Sequence, residues 1–337
     1  MKKSLIVFAF LFALVSCAKG QNKKSDSQSA SSEISDSTTS ESEIPMSEYG
    51  DLIIKDVPFL YYDMGPMKLD ITFTKEEYKE TITYKYQTSL FKIEDDSIIP
   101  LKNGSTTAFV TATTSHHSTR FKVNMPSVNS DRYNRAIEYE NEIKTKVDDK
   151  TTIFLGDSVF DVKHFWKNFY TEVTGNRYIC GISSSTIEEW GLYASHILRG
   201  TNPKMLVWHI GTNDFWDSSR PVEVVKNEFK CLIEFVHSII PNTKIVVCSV
   251  ENRSSKMSQT IGMDDTIKIL KEYDAFVQDY VKNHTFMGYI NSIAHFCNED
   301  WTLKTELTKD GIHPNNSEYA FYVNEAKKLG AEIDLAE

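Results

Sequence analysis

A serine, an aspartate and a histidine stand in this chain where they could form a nucleophilic site. Ser158 follows the apolar run "TIFLG" and one aspartate, and Asp310 and His313 lie three residues apart in "KDGIHPN". A serine hydroxyl attacks poorly until a base takes its proton in the transition state, and histidine suits that task near neutral pH. A carboxylate on the same tight loop can fix the imidazole tautomer and stabilise the imidazolium. The chemistry this set could perform is acyl transfer through an acyl-serine. Gly181, closing "NRYICG", and Asn213, in "HIGTND", occupy comparable places after apolar runs. No G-x-S-x-G elbow surrounds Ser158, and its acid and base share one loop, which argues against the α/β-hydrolase pattern.

These residues need elements to position them. From residue 151 the runs "TTIFLG", "NRYICG", "KMLVWHIG", "TKIVVCSV" and "FMGYIN" alternate with longer amphipathic stretches. Short buried runs separated by helical segments predict an α/β domain over 151–337, a doubly wound parallel sheet with helices on both faces. "VFDVKHFWKNF" carries Val159, Val162, Phe165, Trp166 and Phe169 at helical spacing. "SSTIEEWGLYASHIL" opens with Ser185 and Glu188 at capping-box spacing, and Pro221 suits the first turn of the next helix. Chemistry in such sheets sits at the carboxyl ends of the strands. Ser158, Gly181, Asn213 and the Asp310–His313 pair all fall there.

Taken singly the motifs are weak, since a lone G-D-S is most often a turn. In order, they resemble the four blocks of the SGNH, or GDSL-type, hydrolases: Ser in G-D-S, Gly, Asn in G-x-N-D, and the D-x-x-H pair. Val159 stands where that family often has leucine, and Cys180 precedes Gly181. The resemblance implies a serine esterase without metal or nucleotide cofactor. It also implies three oxyanion donors: the N–H of Ser158, the N–H of Gly181 and the amide of Asn213. Glycine suits close backbone approach to substrate, and asparagine is a neutral donor.

Ahead of this domain, residues 66–126 follow a period of two. Leu69, Ile71 and Phe73 alternate with polar residues, as do Ile82, Tyr84 and Tyr86, then Ala108, Val110 and Ala112, then Phe121, Val123 and Met125. A small all-β sandwich over 46–128 is expected. The glycine before "AFVTA" and the closing "FKV" are similar to bacterial Ig-like domains of group 2. A connecting helix is expected over 129–150, with Tyr133, Ile137 and Ile143 on one face.

The amino terminus reads as an address. "MKK" and the apolar "SLIVFAFLFALVS" form a leader too short for a stable span, ending in "LVSC". That ending resembles the lipobox of bacterial lipoproteins, in which Cys17 would be acylated and become the mature terminus. Residues 18–45 are serine-rich with few apolar side chains, a flexible tether. The expected partners are therefore a membrane, through lipid at Cys17, and an acylated carbohydrate or other ester. A net charge of −10, with no basic block after residue 24, argues against nucleic acid.

Several residues take a plainer reading. His116 and His117 are expected in an exposed hairpin turn, and His209 as a buried histidine with a backbone partner. Asp157 and Asp214 are expected to brace loops, Cys231 and Cys248 to be core thiols, and Cys180 to lack an activating base. Trp216 is a candidate wall of the acyl or sugar pocket. The function expected is a cell-envelope lipoprotein esterase, with short acyl groups on carbohydrate favoured because no long apolar lid insertion is visible. The alternatives are a lipid esterase of lysophospholipase or thioesterase type, or a non-catalytic adhesion lipoprotein whose sandwich does the binding.

Overall fold

A computed structural model describes residues 48–253 and 256–336. Cys17, the leader and the serine-rich tether lie outside the described residues. Among the described residues no helix is long and apolar enough to cross a membrane.

The amino-terminal region contains β1 (Leu52–Ile54), β2 (Met67–Lys68), β3 (Ile71–Phe73), β4 (Thr83–Tyr86), β5 (Phe91–Glu94), β6 (Ser97–Pro100), β7 (Thr106–Thr113) and β8 (Ser118–Met125). The alternating pattern does what it should in β7 and β8. These pair in antiparallel register from Thr106↔Met125 to Thr113↔Ser118 and turn Val110, Ala112, Phe121, Val123 and Met125 inward. The strands of this region share one apolar core, to which Leu52, Phe73, Phe91, Ile98, Val110 and Phe121 contribute. They form three small antiparallel sheets, β1-β3, β2-β6-β5 and β4-β7-β8, because most strands span only two to four residues. Asp95 and Asp96, both at positive φ (48° and 55°), make the tight turn between β5 and β6. His117 is buried rather than exposed, its ring held between Thr114 Oγ1 (3.1 Å) and the Tyr49 carbonyl (3.3 Å). His116 stacks on Tyr49 and bonds Glu80 at 2.6 Å, so these two histidines tie strand ends together.

The segment after β1 leaves this region and enters the next. Phe59, Tyr61 and Met64 are buried in the core of the α/β region. Helix α1 (Ser130–Lys146) follows, capped by Asn129, whose side chain accepts the Arg132 N–H at 3.1 Å. It buries Ala136, Tyr139 and Ile143.

The remaining elements are β9 (Thr152–Gly156), α2 (Phe169–Glu172), β10 (Val173–Gly175), β11 (Arg177–Gly181), α3 (Ile187–Leu198), β12 (Met205–His209), α4 (Val222–Ile239), β13 (Lys244–Cys248), α5 (Lys256–Ile261), α6 (Met263–Lys282), β14 (Met287–Ile290), α7 (Ser292–Phe296), α8 (Tyr319–Lys328) and β15 (Ile333–Leu335). Five of the strands form a parallel sheet in the order β11-β9-β12-β13-β14. Alternate residues feed two cores. Ile153, Leu155, Leu206 and Trp208 face α1, α3, α4 and α6, while Phe154, Val207 and Val246 face α7, α8 and the aromatic residues 160–169. The chain runs from β9 to one side and then returns to the other, so the order reverses between β9 and β12. Such a switch point opens a crevice at the strand ends. Gly156 makes it possible: its φ is +139°, and a Cβ there would lie 1.8 Å from the His209 carbonyl oxygen.

Two local expectations need correction. Residues 159–169 do not form one helix. A 3-10 turn covers Ser158–Phe160, and Asp161 then takes the Lys163 N–H at 2.9 Å and the Phe165 N–H on its own carbonyl at 2.8 Å. The side-chain acceptor competes with the helix, the bond to the carbonyl is a single helical turn that is not continued, and Trp166 and Phe169 still reach the core. The capping box of α3 uses Thr186 and Glu189, one residue beyond the expected pair, because Ser185 is drawn inward, where its hydroxyl accepts the Trp190 indole N–H at 2.9 Å.

Candidate active site

The site starts from the turn that follows β9. Asp157 accepts the Val159 N–H on its side chain at 2.9 Å, and Ser158 O accepts the Asp161 N–H at 3.1 Å. This fixes Ser158 at the carboxyl edge of the sheet. Its Oγ lies 2.9 Å from His313 Nε2, although 155 residues separate the two. His313 Nδ1 lies 2.7 Å from Asp310 Oδ2. The other carboxylate oxygen of Asp310 accepts the backbone N–H groups of Ile312 (2.9 Å) and His313 (2.7 Å), so the loop is folded around its own acid. Gly311, at φ 79°, permits that tight path.

The electrostatics follow from this arrangement. Burial disfavours the His313 cation and, although Asp310 opposes it, holds the imidazole below its ordinary pKa. Burial would raise Asp310, but the hydrogen bonds from His313 and Ile312 outweigh it and keep the carboxyl below its usual range. Phe165 stacks on the His313 ring at 3.4 Å between centroids, and the Lys309 ammonium lies 4.4 Å from the centre of the Phe165 ring. A neutral imidazole between a hydroxyl and an ionised carboxylate is arranged to accept the hydroxyl proton.

These groups open into a cleft of about 520 Å³, with Phe165, Trp216 and Ile312 on its walls and Asn213 beside Ser158 and His313. Trp216 is 38% exposed there, consistent with a place on the pocket wall. Asn213 donates one amide hydrogen to the Ser185 carbonyl at 2.9 Å, which orients the group and leaves a second hydrogen. Gly181 does not join them. Ile182 N–H donates to Gly156 O at 2.8 Å across the parallel ladder, so the amide of the preceding residue points away from β9, and Gly181 O accepts the Tyr139 hydroxyl at 3.0 Å. Gly181 is instead a packing position, where a Cβ would lie 2.2 Å from the Phe160 carbonyl carbon.

Ser184, two residues before Thr186, does line the cleft. It lies in the left-handed region at φ 62°, and its N–H has no partner among the described residues. The sequence hid this residue because serine does not announce a positive φ as glycine would. Phe165 is hidden for another reason: its spacing places it on a helical face that does not form.

The plainer readings also meet the structure. Asp214 is buried and accepts the Ile187 N–H at 3.1 Å and an Arg220 ion pair, bracing the start of α3. Cys180 is fully buried, with its thiol pushed well above its ordinary pKa by desolvation. His209 is buried but has side-chain partners rather than a backbone one: Asp157 at 3.3 Å and Glu251 at 3.1 Å.

Residues 154–321 match the GDSL-like Lipase/Acylhydrolase family. Through this region the chain belongs to that family. It is a serine ester hydrolase. No curated protein matches the sequence. Among solved structures, this esterase is similar to a Streptococcus pneumonia protein named after platelet activating factor, at 19% identity and a TM-score of 0.50, covering 59% of this chain and 92% of that one. It is also similar to a GDSL-like lipase from Bacteroides thetaiotaomicron at 19% identity, TM-score 0.49, covering 59% and 97%. A third similar structure is the acetylxylan esterase Axe2 of Geobacillus stearothermophilus at 15% identity, TM-score 0.43, covering 56% and 97%. At 19% identity and a TM-score of 0.50, the first of these likenesses speaks for the fold alone. About three-fifths of the esterase is matched, against nearly the whole of each neighbour.

Proposed function

We propose that this protein removes short acyl groups, acetyl above all, from carbohydrate hydroxyls, with Ser158 as nucleophile, His313 as general base and Asp310 as its orienting carboxylate. Ser158 Oγ attacks the ester carbonyl as His313 Nε2 takes the hydroxyl proton. The N–H groups of Ser158 and Ser184 and the free amide hydrogen of Asn213 stabilise the oxyanion. Collapse breaks the bond to the sugar oxygen, which receives the proton from His313. Water then attacks the acyl-serine, its proton passing to His313 and from there to Ser158, releasing the carboxylic acid.

The observation that carries the reading is the unbroken chain Ser158 Oγ–His313 Nε2 and His313 Nδ1–Asp310, at 2.9 and 2.7 Å. The substrate class is supported by the walls of the cleft. Ser183, Ser184 and Thr186 give one side a polar lining suited to hydroxyl groups, and Trp216 offers an exposed flat face on which a sugar ring can stack. Turnover of p-nitrophenyl acetate should exceed that of the octanoate by about tenfold or more in kcat/KM, and acetylated oligosaccharides should be deacetylated. A preference for the octanoate, with acetylated sugars untouched, would favour the lipid-esterase alternative.

Lipid attachment at Cys17, on the extracytoplasmic face of a membrane, completes the proposal. The leader ending in "LVSC" and the serine-rich stretch after it support an anchor and a tether. In a bacterial host fed an alkyne fatty acid, the full chain should label and Cys17→Ser should not. Equal labelling of both would remove the anchor from the account.

A further inference from the structure

Beneath the Ser158 turn lies a set of buried charges that the reaction as described does not use. His209 ends β12 with no exposure, and each of its ring nitrogens faces a carboxylate: Nδ1 lies 3.3 Å from Asp157 Oδ1 and Nε2 lies 3.1 Å from Glu251 Oε2. A neutral imidazole has a single N–H, so one of those contacts would set a lone pair against a carboxylate. Only the imidazolium serves both. Burial opposes the charge, but Asp157 and Glu251 outweigh it and push the His209 pKa up to about 9.

The neighbours close the set. Glu251 also accepts Arg253 Nε (3.2 Å) and Nη2 (2.9 Å), and Tyr322 donates its hydroxyl to the other oxygen at 3.4 Å. Asp157 Oδ1 accepts both the His209 ring and the Val159 N–H, while its Oδ2 has no partner among the described residues. The array therefore grips the residue next to the nucleophile. It also acts on the base through space: Asp157 favours the His313 cation and Arg253 disfavours it, beside the larger effects of burial and Asp310. The Lys309 ammonium lies over the ring of Phe165, which stacks on His313.

We infer that Asp157, His209, Glu251 and Arg253 form a balanced buried array that holds the Ser158 turn and sets the proton affinity of His313, making His209 a positioning residue for the reaction. Removing the His209 charge leaves Asp157 uncompensated, and a more negative surrounding makes His313 harder to deprotonate. The inference rests on His313 being the base, because the acid limb of kcat/KM reports the free enzyme's base.

The test is the pH profile of kcat/KM for p-nitrophenyl acetate in four full-length proteins. In His209→Gln the half-rise of the acid limb should move to higher pH by about half a unit or more. Glu251→Gln, which removes an anion, should move it to lower pH. The charge-balanced double variant H209Q/E251Q should return it to within about 0.2 unit of wild type. If His209→Gln does not fold, Glu251→Gln carries the test. A limb that stays in place in the folded variants, whatever happens to kcat or Tm, overturns the inference and leaves a structural role only. Ser158→Ala in the same assay separates the two readings. Activity surviving there removes Ser158 and His313 from the mechanism, whereas an inactive Ser158→Ala with an unmoved limb removes only the array.

Discussion

Two histidines, His209 at the end of β12 and His313 in the loop before α8, flank the Ser158 turn and do opposite things. His313 has one carboxylate, a hydroxyl and a phenyl ring for company, and burial holds it below its ordinary pKa. His209 is more deeply buried, yet lies between two carboxylates and is pushed up to about 9. Burial acts in the same direction on both. The count of facing carboxylates decides the outcome: one is outweighed by desolvation, two are not. A neutral imidazole next to a serine can take a proton, whereas a cation enclosed by acids can only hold them in place. The lesson is that the chemistry belongs to the surroundings of the side chain, not to its type.

The comparison can be broken first at the catalytic side. Asn213→Ala removes an oxyanion donor without touching either histidine, and turnover should fall about 10²–10³-fold with the fold intact. Wild-type turnover in the purified variant would take Asn213 out of the site. A smaller effect belongs to His209. A pKa raised on folding adds stability that is fully present below the unfolded value near 6.5 and is lost as pH rises through the folded value of about 9. The Tm of the wild type should therefore decline across that window, and His209→Gln should start lower and decline less. Parallel curves for the two proteins would mean that His209 is neutral. The smallest effect belongs to Phe165, whose ring shields His313. Phe165→Ala lets water in, lifts the desolvation and raises the His313 pKa, so the acid limb of kcat/KM should move up by a few tenths of a pH unit. A downward movement would show that the ring is not what keeps His313 neutral.

The strands of the sheet were legible because β9, β11, β12, β13 and β14 are buried on both faces and read as continuous apolar runs. Ser158, Asn213, Asp310 and His313 could be singled out because each follows such a run or sits in a polar loop with chemistry-bearing spacing. Gly181 misled for a physical reason: a glycine is needed there, but to let the chain pack against Phe160 rather than to approach substrate. Ser184, which does line the cleft, holds a left-handed conformation that serine adopts rarely and does not advertise. The array under Ser158 was invisible because Glu251 and Arg253 lie in "SVENR", a stretch without a recognisable pattern, and only the sheet brings them to His209. In the amino-terminal region the alternation gave β7 and β8 their inward faces. It carried no information on how two- to four-residue strands divide among sheets.

The difference between the two histidines comes down to whether His313 activates Ser158. Labelling of the full-length protein with a fluorophosphonate, followed by peptide mass spectrometry across a pH series, reads this directly. The account predicts a single adduct on Ser158, formed at a rate that rises with pH through a midpoint below 6.5. That rate should fall by about 10³-fold or more in His313→Asn. An adduct on another residue, or a Ser158 labelling rate indifferent to the loss of His313, would contradict it.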